Sequence, residues 1–281
     1  MADIINPVIL MVSGGQDTKF AQLINGTLTE VTEEDLAGNT KVNDYAFYRQ
    51  VYLTRVTLPD TITEIGASAF AGCSTLQNIS FPSDLAVIGS GAFGSTPQLK
   101  IGLFLKNTVQ VSGNCYSWGF KKIKIGGLLY KTIPQNCFQQ CPNLEIVELN
   151  EGVTTISTGR QAQYSKSGIT FVLPKSTITI GNDAWGYSSI SKVILKATTP
   201  PTIGATNNFY MPYYVPYNSI GQYKSTYTEG TFYPLVSTVA DLTNIDTATY
   251  TKACVEGNDL GIEDDNNYAI YNYTNGEWVK V

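Results

Sequence analysis

The sequence contains no histidine in 281 residues. The side chain that most often serves as general base and as metal ligand is therefore missing. Catalysis would have to draw on carboxylates. Glu145 and Glu148 are the nearest thing to a pair, and no recognised acid/base motif surrounds them, so both read as surface or ladder charges. Charge is scarce as well. Only 15% of residues are charged, 43% are hydrophobic and the net charge is −5. Such a chain folds rather than staying disordered. It lacks the basic stripe that phosphates require, and its single dense basic cluster is Lys121, Lys122 and Lys124. No nucleic-acid partner is expected. The five cysteines, Cys73, Cys115, Cys137, Cys141 and Cys254, are an odd number and suit no disulfide framework. Cys137 and Cys141 face no second pair at ligand spacing, so neither a metal nor a cofactor is expected. Long apolar runs are missing too. Ile4–Val12 is interrupted by Pro7, closed by Gly14-Gly15 and preceded by Asp3, which is not the form of a signal peptide or a membrane span. No signal peptide and no membrane partner are expected.

What the chain does have is a repeat. An aliphatic residue recurs at Val42, Ile65, Ile88, Val111, Ile133, Ile156, Ile180 and Ile203, at a period of about 23 residues. A small residue and an aromatic follow it, as in Ala46-Phe47, Ala69-Phe70, Ala92-Phe93, Cys115-Tyr116, Cys137-Phe138 and Ala184-Trp185. Arg160-Gln161 and Asn207-Asn208 break the pair. Apolar alternation at Val56-x-Leu58, Ile79-x-Phe81, Ile123-x-Ile125, Val147-x-Leu149, Phe171-x-Leu173 and Val193-x-Leu195 predicts one half-buried strand per coil. Proline or asparagine then ends the strand. About eight coils, each about 4.8 Å from the next, would stack into one parallel sheet. The predicted core is Ile65, Phe70, Ile88, Phe93, Ile133, Phe138, Ile180 and Trp185. The cysteines fall at small-residue and turn positions, as structural thiols do.

The pattern Leu-x-x-Val-x-Leu-Pro-x-x-Ile-x-x-Ile-Gly-x-x-Ala-Phe-x-Gly-Cys, intact at residues 53–73, resembles the BspA-type leucine-rich repeat family over roughly residues 40–205. The stretch Ala197–Gly204, with Tyr214–Ser219 and Gln222–Lys224 after it, is similar to the closing element of many Bacteroidetes members. The resemblance implies a mainly β, leucine-rich-repeat solenoid with one parallel sheet, capped at both ends. It implies a non-catalytic adhesive role, because the family has no shared active site. The expected divisions are an N-terminal anchor or assembly segment at 1–15, a cap at 16–41, repeats at 42–204, an aromatic-rich cap at 205–236 and a small β module at 237–281. Pro234 marks a hinge before that module, and Asn275-Gly276 its hairpin.

Phe20–Thr32, Tyr250–Val255 and Asn275–Val279 resemble segments of phage and prophage proteins of gut bacteria. That resemblance implies a virion component, such as a tail or head fibre or decoration protein, touching the bacterial surface. Residues 1–15 would then meet other virion proteins. The alternatives are a BspA-type adhesin at the bacterial surface or outside the cell, and, third, a glycan-active enzyme. The partner expected in the first two readings is a bacterial cell-surface glycan or protein, and homo-oligomers remain open. The candidate binding surface is Arg55, Thr57, Asn78, Ser80, Trp118, Lys122, Lys124, Tyr164, Tyr213 and Tyr217. Glu148, Thr170 and Lys192 share the outward strand positions, and Glu263-Asp264-Asp265-Asn266 reads as a solvated turn without the spacing of a calcium loop.

Overall fold

The computed structural model describes residues 22–106, 109–113, 115–186, 189–204, 211–258 and 261–281. The expected anchor, residues 1–15, lies outside them, as do Asn114 and Asn207-Asn208.

The chain winds as a solenoid, and its strands pile up in parallel. The main ladder begins with Glu30–Val31, Arg55–Thr57 and Asn78–Ser80. It resumes with Gly102–Phe104, Lys122–Ile125, Ile146–Leu149, Ile169–Leu173 and Ile190–Leu195. Pro212–Pro216, Thr231–Val236 and Lys252–Val255 carry it on. Pairing is interrupted between Ser80 and Gly102.

The recurring aliphatic residues form a second ladder beside the expected sheet. Val42, Ile65, Ile88 and Val111 pair in register, and so do Ile133, Ile156, Ile180 and Ile203. The residue after each of them carries the contact between coils. Gly66 N–H donates to Val42 O and Gly89 N–H to Ile65 O, both at 2.7 Å. A Cβ on Gly89 would stand 2.7 Å from Ala67 Cα, which is why glycine recurs there. At the fifth coil this residue is Pro134, which has no N–H to give. The second ladder divides at that step, between Val111 and Ile133.

Between the ladders lies one continuous apolar core. Phe47, Phe70 and Phe93 stack face to face, with centroids 5.2 and 5.6 Å apart. The column then changes. Tyr116, expected to plug the next coil, is 43% exposed, while Trp118 and Phe120 turn inward and meet Phe93 edge-on. Trp118 and Phe120 together fill the space with two rings that pack edge-on against Phe93 and against each other. Gln161 breaks the pattern a second time. Its coil offers Ala162 in place of an aromatic, and Phe171 from the main ladder fills the gap between Phe138 and Trp185. Gln161 itself is buried and satisfied, accepting from Cys137 N–H and donating to Ser157 O, both at 3.3 Å.

Beyond the repeats, Tyr213, Tyr223 and Phe232 close the core, with the short helix Ile220–Thr226 lying across it. The strand Thr231–Val236 runs straight through Pro234, the expected hinge. Residues 237–281 are continuous with the main sheet. Lys252–Val255 pairs parallel to Thr231–Val236, and the antiparallel strands Ala269–Thr274 and Glu277–Lys280 follow. Their turn is Asn275-Gly276, with φ of 53° and 90°, the positive values a two-residue hairpin requires.

Phe70→Ala and Phe93→Ala are each expected to lower the unfolding free energy by about 3–5 kcal/mol, and Tyr116→Ala by no more than about 0.5 kcal/mol. Denaturant titration separates these values, and equal losses in all three variants would contradict the packing.

Candidate binding face and its internal cover

Alternation along each main-ladder strand sends every second side chain outward. On the first coils these are Glu30, Arg55, Thr57, Asn78, Ser80 and Phe104, and this stretch is open. Arg55 lies 3.9 Å from Glu30, both well exposed, so their pairing contributes little.

From Lys122 onward the outward positions are covered by the chain's own C-terminal part. The apolar centre of the cover joins Val172, Ile194, Tyr214, Leu235 and Cys254 of the ladder to Ile262 and Tyr268 of the returning segment. Outward residues that are apolar here would be a liability on an open face, and the cover removes them from water.

A charged rim surrounds that centre. Lys122 donates to Ile262 O at 2.9 Å and pairs with Asp265. Lys124 pairs with Glu263 at 3.0 Å. Deeper in, Glu148 is only 5% exposed. Its Oε1 accepts the Tyr268 hydroxyl at 2.8 Å, and its Oε2 accepts Ile262 N–H at 2.9 Å. Lys196 reaches Glu148 at 3.2 Å and Glu256 at 2.9 Å. Gly261 runs against the Glu148 carboxylate, where a Cβ would collide with it. Burial acts to depress Lys196, but Glu148 and Glu256 outweigh it and hold the amine above its usual value. Burial pushes the Tyr268 hydroxyl up, reinforced by Glu148. Lys192 has no such compensation, and burial lowers it.

Several expected surface residues are thus elsewhere. Trp118 and Tyr213 are fully buried in the core, where their large apolar rings close a coil. Tyr217 is half-buried, and its hydroxyl accepts Asp246 N–H at 3.0 Å. Lys122 and Lys124 are engaged by the cover, and Glu148 and Thr170 lie buried beneath it. The acidic turn at 263–265 is solvated as expected, with Glu263 and Asp265 exposed, and it is also the other half of those pairs. Arg55, Asn78 and Ser80 are open, Thr57 is partly so, and Tyr164 is 75% exposed at a left-handed turn of φ 60°. Glu145 does not join Glu148. Burial pushes its carboxyl up, but Lys166 at 2.7 Å and Lys121 at 3.2 Å outweigh that and hold it below the usual range. Ile65, Phe70, Ile88, Phe93, Ile133, Phe138, Ile180 and Trp185 all lie in the core. The five cysteines are free and buried. Burial pushes the Cys73, Cys141 and Cys254 thiols up to about 12, which leaves them protonated at neutral pH and poor nucleophiles. No described helix is long and apolar enough to cross a membrane.

Residues 40–160 match the family model described as BspA type Leucine rich repeat region, in 6 copies. Solved structures that resemble the chain include three bacterial leucine-rich proteins. One is a leucine-rich repeat protein from Bacteroides ovatus, at 16% identity over 66% of this chain and 63% of that one, TM-score 0.38. Another is the T. pallidum leucine-rich repeat protein, at 22% identity over 72% and 84%, TM-score 0.44. The third is a leucine-rich cell surface protein from Faecalibacterium prausnitzii, at 14% identity over 64% and 80%, TM-score 0.24. The chain therefore spans 63% of the Bacteroides ovatus protein's length. No curated protein matches it.

Removing Glu148 leaves Lys196 without one of its carboxylates and Tyr268 without its acceptor. Glu148→Ala is expected to cost about 3 kcal/mol and to speed hydrogen exchange across residues 256–270 while the early coils keep their protection. Uniform loss of protection would contradict a local cover. Because Lys196 is raised, its stabilisation is whole below the unfolded lysine value of about 10.4 and is lost as pH rises through the folded value. Hydrogen exchange of the cover, corrected for intrinsic rate, is therefore expected to stay flat from about pH 6 to 9 and to loosen only above about pH 10.5. Loosening that begins near neutrality would contradict this.

Proposed function

We propose that this chain is a non-catalytic recognition protein that meets a glycan or protein of a bacterial surface through the open half of its main sheet. The observation that carries this reading is the contrast along one face. The later coils are sealed by the chain's own C-terminal part, while Arg55, Thr57, Asn78, Ser80 and Phe104 are left open on the same ladder. Their mixed polar character, with one aromatic among them, suits a wet interface. The BspA type of the repeats supports a surface-binding role. A virion setting is the finer placement. It rests on the resemblance of the chain's two ends to phage proteins, and cosedimentation with purified phage particles tests it.

The face is tested by binding of labelled protein to intact bacterial cells. The triple variant Arg55→Ala, Asn78→Ala, Phe104→Ala is expected to lose at least about tenfold in affinity, with its melting temperature kept. Lys280→Ala, at the far end of the sheet, is expected to bind as the parent does. Unchanged binding by the triple variant would refute the assignment.

A further inference from the structure

The step at which Pro134 interrupts the second ladder leaves an open groove of 630 Å³ on the side of the solenoid that the recognition face does not use. Its volume is that of a small-molecule site. Across this step the coils lack the N–H···O bond that Ser112 and Ser157 make on either side of it, to Ile88 O at 2.8 Å and Ile133 O at 2.9 Å. The position that is glycine in Gly66, Gly89, Gly181 and Gly204 is Pro134 here, with no N–H to give. Tyr130 spans the step, donating its hydroxyl to Gly113 O at 3.0 Å, so its ring forms one wall.

The lining is neutral throughout, with no lysine, arginine, aspartate or glutamate in it. Thr132, Thr155 and Thr179 occupy one register position on successive strands, so the groove carries a hydroxyl about every 4.8 Å along the solenoid axis. Among the described residues, the hydroxyls of Thr132, Ser157 and Thr179 have no hydrogen-bond partner in the chain. Tyr130 and Pro134 add an apolar surface beside this row. An anionic ligand would find no cation here. A purely apolar one would strip water from the hydroxyls and give nothing back.

We propose that this groove binds an extended neutral glycan. Successive sugar rings step along the threonine row, matching its spacing, and an apolar ring face lies on Tyr130 and Pro134. Hydroxyl-to-hydroxyl bonds and ring stacking are the two interactions such a ligand offers, and the groove supplies a counterpart to each. The site is separate from the Arg55–Phe104 face, so either assignment can fail while the other stands.

The test is titration calorimetry of the full chain with soluble cello-, xylo-, manno- and chito-oligosaccharides of two to six units. Affinity for at least one series is expected to rise with chain length and then level off. It is expected to be unchanged between about 50 and 500 mM salt, because no ion pair is involved. Thr155→Val with Thr179→Val keeps side-chain shape and removes two hydroxyls. This variant is expected to lose at least tenfold in affinity at an unaltered melting temperature. The Arg55, Asn78, Phe104 triple variant is expected to retain full oligosaccharide affinity. Failure of all four series to bind, strong salt dependence, or equal affinity in the valine variant would each overturn the proposal.

Discussion

One contact recurs at every step of this molecule: an amide of one coil donating to the carbonyl of the coil before it. Such short strands satisfy most of their backbone groups across the coils rather than within one. Because the second ladder contributes only two residues per coil, each bond there counts, and the residue that makes it has to let two backbones approach within contact. Glycine does so at Gly66, Gly89, Gly181 and Gly204, and serine at Ser112 and Ser157. Pro134 cannot, and the ladder divides where it stands. The same constraint fixes the core. Once coils are held at strand spacing, a phenylalanine at one position must stack on the phenylalanine of the next, as Phe47, Phe70 and Phe93 do within 6° of parallel.

A stacked sheet has two faces, and only one is buried by winding. The molecule treats its outer face in two ways. Over the early coils it is polar and left to water. Over the later ones it turns apolar, and residues from 256 onward return to cover it through Ile262, Tyr268 and the lysine–carboxylate rim. Glu148 is the point where the two treatments meet. It sits on a ladder strand, is buried by the cover and accepts hydrogen bonds from it. A carboxylate in that position is stable only while its donors stay in place. The cover is thereby tied to the repeats, and the open face is given a definite end.

The architecture was legible in the sequence because its cause is local and periodic. The recurring Ile and Ala-Phe positions name the core directly, and Asn275-Gly276 names the hairpin. The departures have causes that a period cannot express. Tyr116 and Trp118 are two residues apart, and which of them enters the core depends on the shape left by Phe93 and Phe120. Phe171 fills a hole made by Gln161 on the opposite ladder. Lys122 and Asp265 lie 143 residues apart, and nothing in either segment announces the other. The outward change from Asn78 and Ser80 to Val172 and Ile194 was visible in the sequence. Read as a change of environment, it would have signalled that something covers the later coils. The proline directly after Ile133 was a second such signal, since a missing N–H in a repeat that uses it marks a break.

The central claim is that successive coils advance in one direction by one strand spacing each. Asp60 and Lys175 are exposed and each follows a main-ladder strand, five steps apart along the stack. Spin labels on Asp60→Cys and Lys175→Cys, with the buried native thiols left unmodified, measure that advance by dipolar spectroscopy. The account predicts one narrow distance distribution centred near about 24 Å at the Cα level, allowing for label length. A centre below about 15 Å, or a distribution spread over several unrelated distances, would contradict it.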